Sequence, residues 1–364
     1  MKNRIIISVT SDLSTDHRVL KVAKSCFSNG YGVLLIGRRV KNSQPLSLPF
    51  PFIRMRLFFN SSVLFYIEFN VRLFILLLFK RSTVLLSNDT DTLVANFLAS
   101  KICRKKLVFD AHELFPEVPE LVNRPKVKYF WQKLENIIFP HLTHTYTVCD
   151  SIAKHYNQKY NNDMQVVRNV PYFRTNKTSS KKIDYPAKKI IFYQGALNIG
   201  RGLEWVIDAM PFIENAMLVI IGDGDIRQNL QNQTKKLKLE NKVTFLGKIE
   251  AEKLHEYTTS ADIGLCLLEK MGLSYYYALP NRIFDYLQAD VPVLASRFPE
   301  ISKIVETYKT GTLIDHYEPM YLAEIINNML LFPLNTDHFR SAAKELCWEN
   351  EEKVLLEIIK KAIS

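Results

Sequence analysis

The sequence predicts an α/β protein of two doubly wound, parallel-sheet domains facing a central cleft. Three observations carry this expectation. Short apolar runs alternate with helix-period segments through both halves. A polar, lysine-rich stretch after Pro171, RTNKTSSKKIDYPAKK, breaks the alternation, which then restarts. At 364 residues the chain exceeds one comfortable core and suits two domains.

In the first half, strands are expected at 5–9, 33–36, 83–86, 107–109 and 145–148, each an apolar run bounded by polar turns. Runs apolar along their whole length belong to parallel strands covered on both faces. Segment 63–80, VLFYIEFNVRLFILLLFK, is apolar except for Glu68, Asn70 and Arg72 in its middle. A membrane span needs about 20 apolar residues without central charge, so a helix packed in the core, or lying on a bilayer, is expected instead. Strands follow again at 190–193, 217–221, 243–245, 263–267 and 293–295, with helices at 203–210 and 251–258. The boundaries are 1–172 for the first domain, 173–187 for the linker and 188–348 for the second domain.

Formal charge is +11, distributed unevenly: up to Ser180 the chain holds 26 Lys+Arg against 12 Asp+Glu, and afterwards 22 against 25. A one-sided basic domain meets something anionic or is merely a soluble basic face. Cys26, Cys103, Cys149, Cys266 and Cys347 lack C-x-x-C spacing, which disfavours a disulfide framework or zinc site and suggests a reducing compartment. The opening MKNRIIISVTSD offers an apolar run too short for the core of a signal peptide and is expected to form the first strand.

Candidate chemistry lies at strand ends. Gly195 closes a strand, and Gly200-Arg201-Gly202 opens a helix, so backbone amides and a guanidinium can face one anion. The same glycines also serve a turn without a ligand. Gly222-Asp223-Gly224-Asp225 ends the next strand; it is read as a close backbone approach with Asp225 capping a helix, not as a metal pair. Asp285 lies one turn after Asn281 on one helix face and suits vicinal ribose hydroxyls, although Pro280, Asn281 and Arg282 also fit a cap and first turn. His112 follows a strand end, where it is structural or else orients a sugar hydroxyl or shuttles a proton. Thr15, Asp16 and Arg18 gather near the first strand's end, either at an acceptor mouth or as a helix cap.

Together the segments SDLSTDHRVLKVA, FDAHELFPEVPE, YQGALNIGRGLE, IIGDGD, VTFLGKI, PNRIFDYLQADVPVLAS and LCWENEEKVLLEIIKKA resemble, in their order, the family 4 glycosyltransferases of the GT-B fold, with two Rossmann-like domains. The resemblance implies retaining transfer of a sugar from a nucleoside diphosphate sugar, without a required metal or other cofactor, and a final helix (about 349–364) returning to the first domain. By position it makes Arg201 the diphosphate-binding cation and Asp285 the ribose-binding acid, shortened from glutamate. Gly195, Gly222, Asp223, Gly224, Tyr277 and Asn281 then line the nucleotide sugar, and His112 approaches the donor sugar. The chain departs from the pattern twice. Tyr277 stands where the family has a glutamate, so Glu269 is the candidate to take over its sugar contact. Ala196 replaces an arginine, leaving Lys248 or Arg282 to assist Arg201.

The expected function is sugar transfer to a hydroxyl of a glycan or lipid-linked acceptor, for surface polysaccharide or lipid-linked glycan synthesis. The expected place is the cytoplasmic face of a bacterial membrane. Arg54, Arg56, Arg104, Lys105 and Lys106 would hold the first domain near anionic lipid. The alternatives are a nucleotide-sugar epimerase of the same architecture and a non-enzymatic protein bound to anionic surfaces. No nucleic-acid partner is expected.

Overall fold

Branched apolar runs such as Val-Leu-Leu at 84–86 and Leu-Val-Ile-Ile at 218–221 are buried along their whole length, as strands covered on both faces must be. The computed structural model describes residues 3–175 and 189–364. They form two units, Met1–Asn169 with Asn350–Ser364, and Val170–Glu349.

The first unit carries seven parallel strands: β1 (Arg4–Asp12), β2 (Gly32–Arg39), β3 (Phe52–Arg56), β4 (Val84–Asn88), β5 (Lys106–Ala111), β6 (His144–Thr147) and β7 (Gln165–Val166). Their spatial order is β3-β2-β1-β4-β5-β6-β7, with Ile6 of β1 in register with Leu34 on one side and Leu85 on the other. The second unit carries six: β8 (Lys189–Gln194), β9 (Ala216–Ile221), β10 (Val243–Gly247), β11 (Ile263–Cys266), β12 (Val293–Ser296) and β13 (Gly311–Ile314), in the order β10-β9-β8-β11-β12-β13. In each sheet the order reverses beside the unit's first strand, at β1/β4 and β8/β11. That reversal opens a crevice at the carboxyl ends of the strands, where α/β sheets bind ligands.

Three strands escape the sequence, namely β3, β7 and β13, and all three are sheet edges. An edge strand need not be apolar throughout: β3 reads FIRMR, with only Met55 buried, and β7 has two residues. The expected linker lies, from residue 176 onward, outside the described residues. The last helix is Trp348–Ile363, and from Asn350 it belongs to the first unit. There Glu351 accepts from the Arg168 amide (2.8 Å) and Nη1 (3.1 Å).

Segment 63–80 forms the helix Ser62–Phe79. Phe65, Phe69, Leu73 and Leu77, spaced by four, are buried with Ile6, Leu34 and Leu85 in the first unit's core. Val63, Ile67, Val71, Ile75 and Phe79 form an equally apolar row that is exposed. Among the described residues it is the one helix long and apolar enough to cross a membrane, with mean hydropathy 1.9. Its buried row makes it part of the first unit's fold.

Candidate active site

The second unit ties three strand ends together. Beyond β8 and β9, the Leu197 amide donates to Asp223 O (3.0 Å), Gly195 N to Ile221 O (3.0 Å) and Gly222 N to Gly247 O (2.8 Å). This junction tolerates no side chain at Gly222, whose φ is +140° and whose Cβ would stand 1.8 Å from Gly195 O. At Gly202, φ +68°, a Cβ would stand 2.8 Å from Leu267 Cβ at the end of β11. Glycines at 202 and 222 are therefore required by packing alone, and Gly224 meets Leu197 O in the same way. The helix after the turn, Leu203–Ala209, has only 7 residues, so side-chain cations rather than a helix dipole supply the positive charge here.

Arg201 is half-buried beside this turn. Its guanidinium lies 4.7 Å over the Tyr275 ring and its buried Nε has no partner. Among the described residues no carboxylate pairs with it. Glu269 joins it from the end of β11, its amide donating to Gly200 O (3.0 Å) and its Oε1 accepting from Trp205 Nε1 (3.2 Å). Asp285, half-buried, accepts from Gln194 Nε2 (2.8 Å), and Gln194 Oε1 accepts in turn from the Thr258 hydroxyl (2.7 Å). The carboxylate is thereby aimed from the helix Arg282–Gln288 towards the end of β8. Asn281 precedes that helix without a side-chain capping bond and is exposed. Tyr277 lies against Tyr276, ring centroids 5.5 Å apart. Asp223 is 41% exposed and shares Arg227 (3.6 Å) and Lys248 (4.0 Å). Lys248 is itself 80% exposed. Asp225 does not cap: the next helix starts at Arg227, after Ile226.

In the first unit the sequence-predicted residues separate into different roles. Asp16 is the cap of the helix His17–Ser28, its Oδ1 accepting from Val19 N (3.0 Å) and its Oδ2 from the Ser11 hydroxyl (2.6 Å). Thr15 is exposed and closes the preceding turn on Asp12 O (3.1 Å). Arg18, expected at an acceptor mouth, is instead buried at 4% exposure. Its Nε and Nη2 grip Asp110 (2.9 and 2.8 Å) and its Nη1 donates to Val167 O (3.0 Å). A fork-on-carboxylate pair of this kind is a fixed brace. Against burial, which alone would raise it, Arg18 and His112 hold Asp110 down at about 2.

His112 sits between two carboxylates, Nδ1 at 3.0 Å from Asp89 and Nε2 at 3.1 Å from Asp110. Its amide also donates to Asp89 (2.8 Å). Burial opposes its charge, but Asp89 and Asp110 together raise it well above the ordinary histidine range. With a carboxylate within hydrogen-bond distance of each ring nitrogen, the charged imidazolium is the favoured form. Close by, burial and the Asp89 charge push Asp91 up to about 7. Its Oδ2 accepts from the Thr10 hydroxyl, and its Oδ1 has no partner. Burial, with Asp89 again, pushes Glu113 up to about 8.

Sequence reasoning did not single out Asp89, Asp91 and Asp110. Their signal was position: SNDTD runs off the end of β4 and FDAH closes β5, so both polar segments fall at the carboxyl ends of strands at or next to the reversal point.

The family described as "Glycosyl transferases group 1" matches residues 175–346. An uncharacterized glycosyltransferase of Methanocaldococcus jannaschii is 29% identical over 146 residues, 39% of this chain, and the match spans only 36% of that relative's length. A Campylobacter jejuni protein, GalNAc-alpha-(1->4)-GalNAc-alpha-(1->3)-diNAcBac-PP-undecaprenol alpha-1,4-N-acetyl-D-galactosaminyltransferase, is 24% identical over 281 residues, covering 74% of this chain and 71% of its own. Anabaena HepE, solved in complex with UDP-glucose, superposes with a TM-score of 0.75 at 15% identity over 98% of this chain and 99% of its own. The match to the second unit and the two parallel sheets agree: residues 175–346 match the group 1 glycosyltransferases, and the chain has the GT-B fold.

Proposed function

We propose that the protein transfers a hexosyl or N-acetylhexosaminyl group from a UDP-sugar, with retention, to a hydroxyl of a lipid-linked glycan or nascent polysaccharide. The observation that carries this is Arg201, a cation left without a carboxylate partner beside the Gly195 turn at the β8/β11 reversal. UDP-glucose in HepE and the lipid-linked acceptor in the Campylobacter relative's name support the choice of donor and acceptor.

In this scheme the bond from the anomeric carbon to the diphosphate oxygen breaks and its electron pair stays on the phosphate. The acceptor oxygen forms the new bond on the same face, and its proton passes to the departing phosphate. Charge grows on the diphosphate as the bond breaks, so Arg201 and the turn amides stabilise the transition state more than the bound donor. Asp285, held by Gln194, accepts from the ribose hydroxyls. Glu269 contacts the sugar in place of the family glutamate that Tyr277 replaces.

Two features support work at the cytoplasmic face of an anionic membrane. The exposed row from Val63 to Phe79, with Phe58 at 84% exposure, offers apolar surface to acyl chains. Arg56, Arg72, Lys80 and Arg81 stand at this helix and its approaches, and the Arg72 guanidinium lies 5.0 Å over the Phe58 ring.

The test is incubation of the full chain with a panel of UDP-sugars and a lipid-linked or simple glycosyl acceptor, followed by mass spectrometry. A product heavier by one sugar, with UDP released, is expected. Absence of both sugar transfer and UDP release across the panel would remove the proposal.

A further inference from the structure

The second unit buries another cation behind the same turn. Arg282 begins the helix Arg282–Gln288 yet is only 8% exposed. Its guanidinium lies 4.5 Å over the Tyr193 ring, and a Cβ at Gly195 would stand 3.5 Å from its Cζ and Nη2. The Tyr193 hydroxyl donates to Ala196 O (2.7 Å), so one side chain carries the guanidinium on its face and the turn on its tip.

This cation is not neutralised. Among the described residues no carboxylate pairs with it, and its buried Nη1 has no partner. Asp285, one turn on, is engaged by Gln194. Burial pushes the Cys266 thiol, at the end of β11, up to about 11, and Arg282 and Arg201 both pull against that rise. A buried cation without a counter-ion is costly in an empty protein and becomes favourable when an anion arrives within its field. Low surrounding polarity lengthens the reach of that field. The turn itself offers no side-chain cation, since position 196 is alanine.

We propose that Arg282 is the second cation of the diphosphate site, acting from behind the Gly195–Ala196 turn as a positioning residue while Arg201 meets the phosphates. The inference rests on the donor assignment above. Arg282 supplies a fixed positive charge under the turn, and the Tyr193 ring holds that charge in place.

Calorimetry of the full chain with UDP and with uridine separates the possibilities. Wild type is expected to favour UDP strongly. Arg282→Gln should lose about tenfold in UDP affinity with uridine affinity unchanged, and Arg282→Lys should recover most of the loss. Equal loss for both ligands would reduce Arg282 to a packing role, and no loss for either would overturn the inference. Should Arg282→Gln fail to fold, Arg201→Ala serves: a residual preference for UDP over uridine is expected, and its complete loss would leave Arg282 nothing to contribute. If wild type itself does not prefer UDP to uridine, the donor assignment fails instead.

Discussion

The two units share one strand order and one reversal point but treat charge in opposite ways. At the carboxyl ends of β1, β4 and β5 each cation has its carboxylate: Arg18 grips Asp110, and His112 lies between Asp89 and Asp110. At the carboxyl ends of β8, β9 and β11 two guanidinium groups, Arg201 and Arg282, rest on tyrosine rings without an acid. Topology alone therefore does not say which crevice takes an anion. On the proposed function the two cations at the strand ends of the second unit decide it, and the nucleotide diphosphate is assigned there.

The sharpest way to break this contrast is to remove the cation that has no partner. Arg201→Ala should lower kcat by about 10²–10³ while the melting temperature stays close to wild type, because no ion pair is lost. Near-normal turnover would remove the diphosphate role.

The first unit's carboxylates allow a second test. Asp91 keeps its proton to about pH 7 in the folded chain, against an ordinary value of 3.8. Between those values the unfolded chain has released a proton that the native chain still binds, so this residue's contribution falls as pH rises and then levels off. Asp91→Asn carries no such linkage. Its stability relative to wild type should rise on the order of 1–3 kcal/mol from pH 4 to pH 7, measured by urea unfolding. A flat difference would show that Asp91 is ionised throughout.

Next in size is the exposed row of the Ser62–Phe79 helix. Ile67→Glu with Ile75→Glu should reduce sedimentation with anionic vesicles about tenfold, leaving transfer to a soluble acceptor unchanged. Undiminished vesicle binding would move the membrane contact elsewhere. The smallest expected effect is the absence of one. Because Asp89 and Asp110 raise His112 well above the ordinary histidine range, His112 should give the kcat profile from pH 5.5 to 8.5 no limb near the ordinary histidine value, and His112→Gln should lower the rate without reshaping the profile. A limb that vanishes in His112→Gln would restore the proton-shuttle role.

Much of this was legible in the chain. Strands buried on both faces announce themselves by continuous apolar runs, and ten of them stood near their expected places; β3, β7 and β13 did not, because an edge can be short or alternate with polar residues. The order of motifs led to the transferase ahead of an epimerase or a surface-binding protein, in agreement with the family match to the second unit. What stayed hidden is direction. Sequence places Arg18 near a strand end but cannot show that its guanidinium turns inward to Asp110, 92 positions away. It cannot show that Asp89 reaches back to clamp His112, nor that Arg282, which suits a helix's first turn, lies under a neighbouring loop. Each depends on a partner brought close only by the sheet.

A crystal structure of the full chain with UDP would show which unit holds the diphosphate. The two phosphorus atoms are expected at the Gly195–Arg201 turn, with Arg201 hydrogen-bonded to the diphosphate and Asp285 to the ribose. A diphosphate bound among the carboxylates around His112, or anywhere that leaves Arg201 untouched, would contradict it.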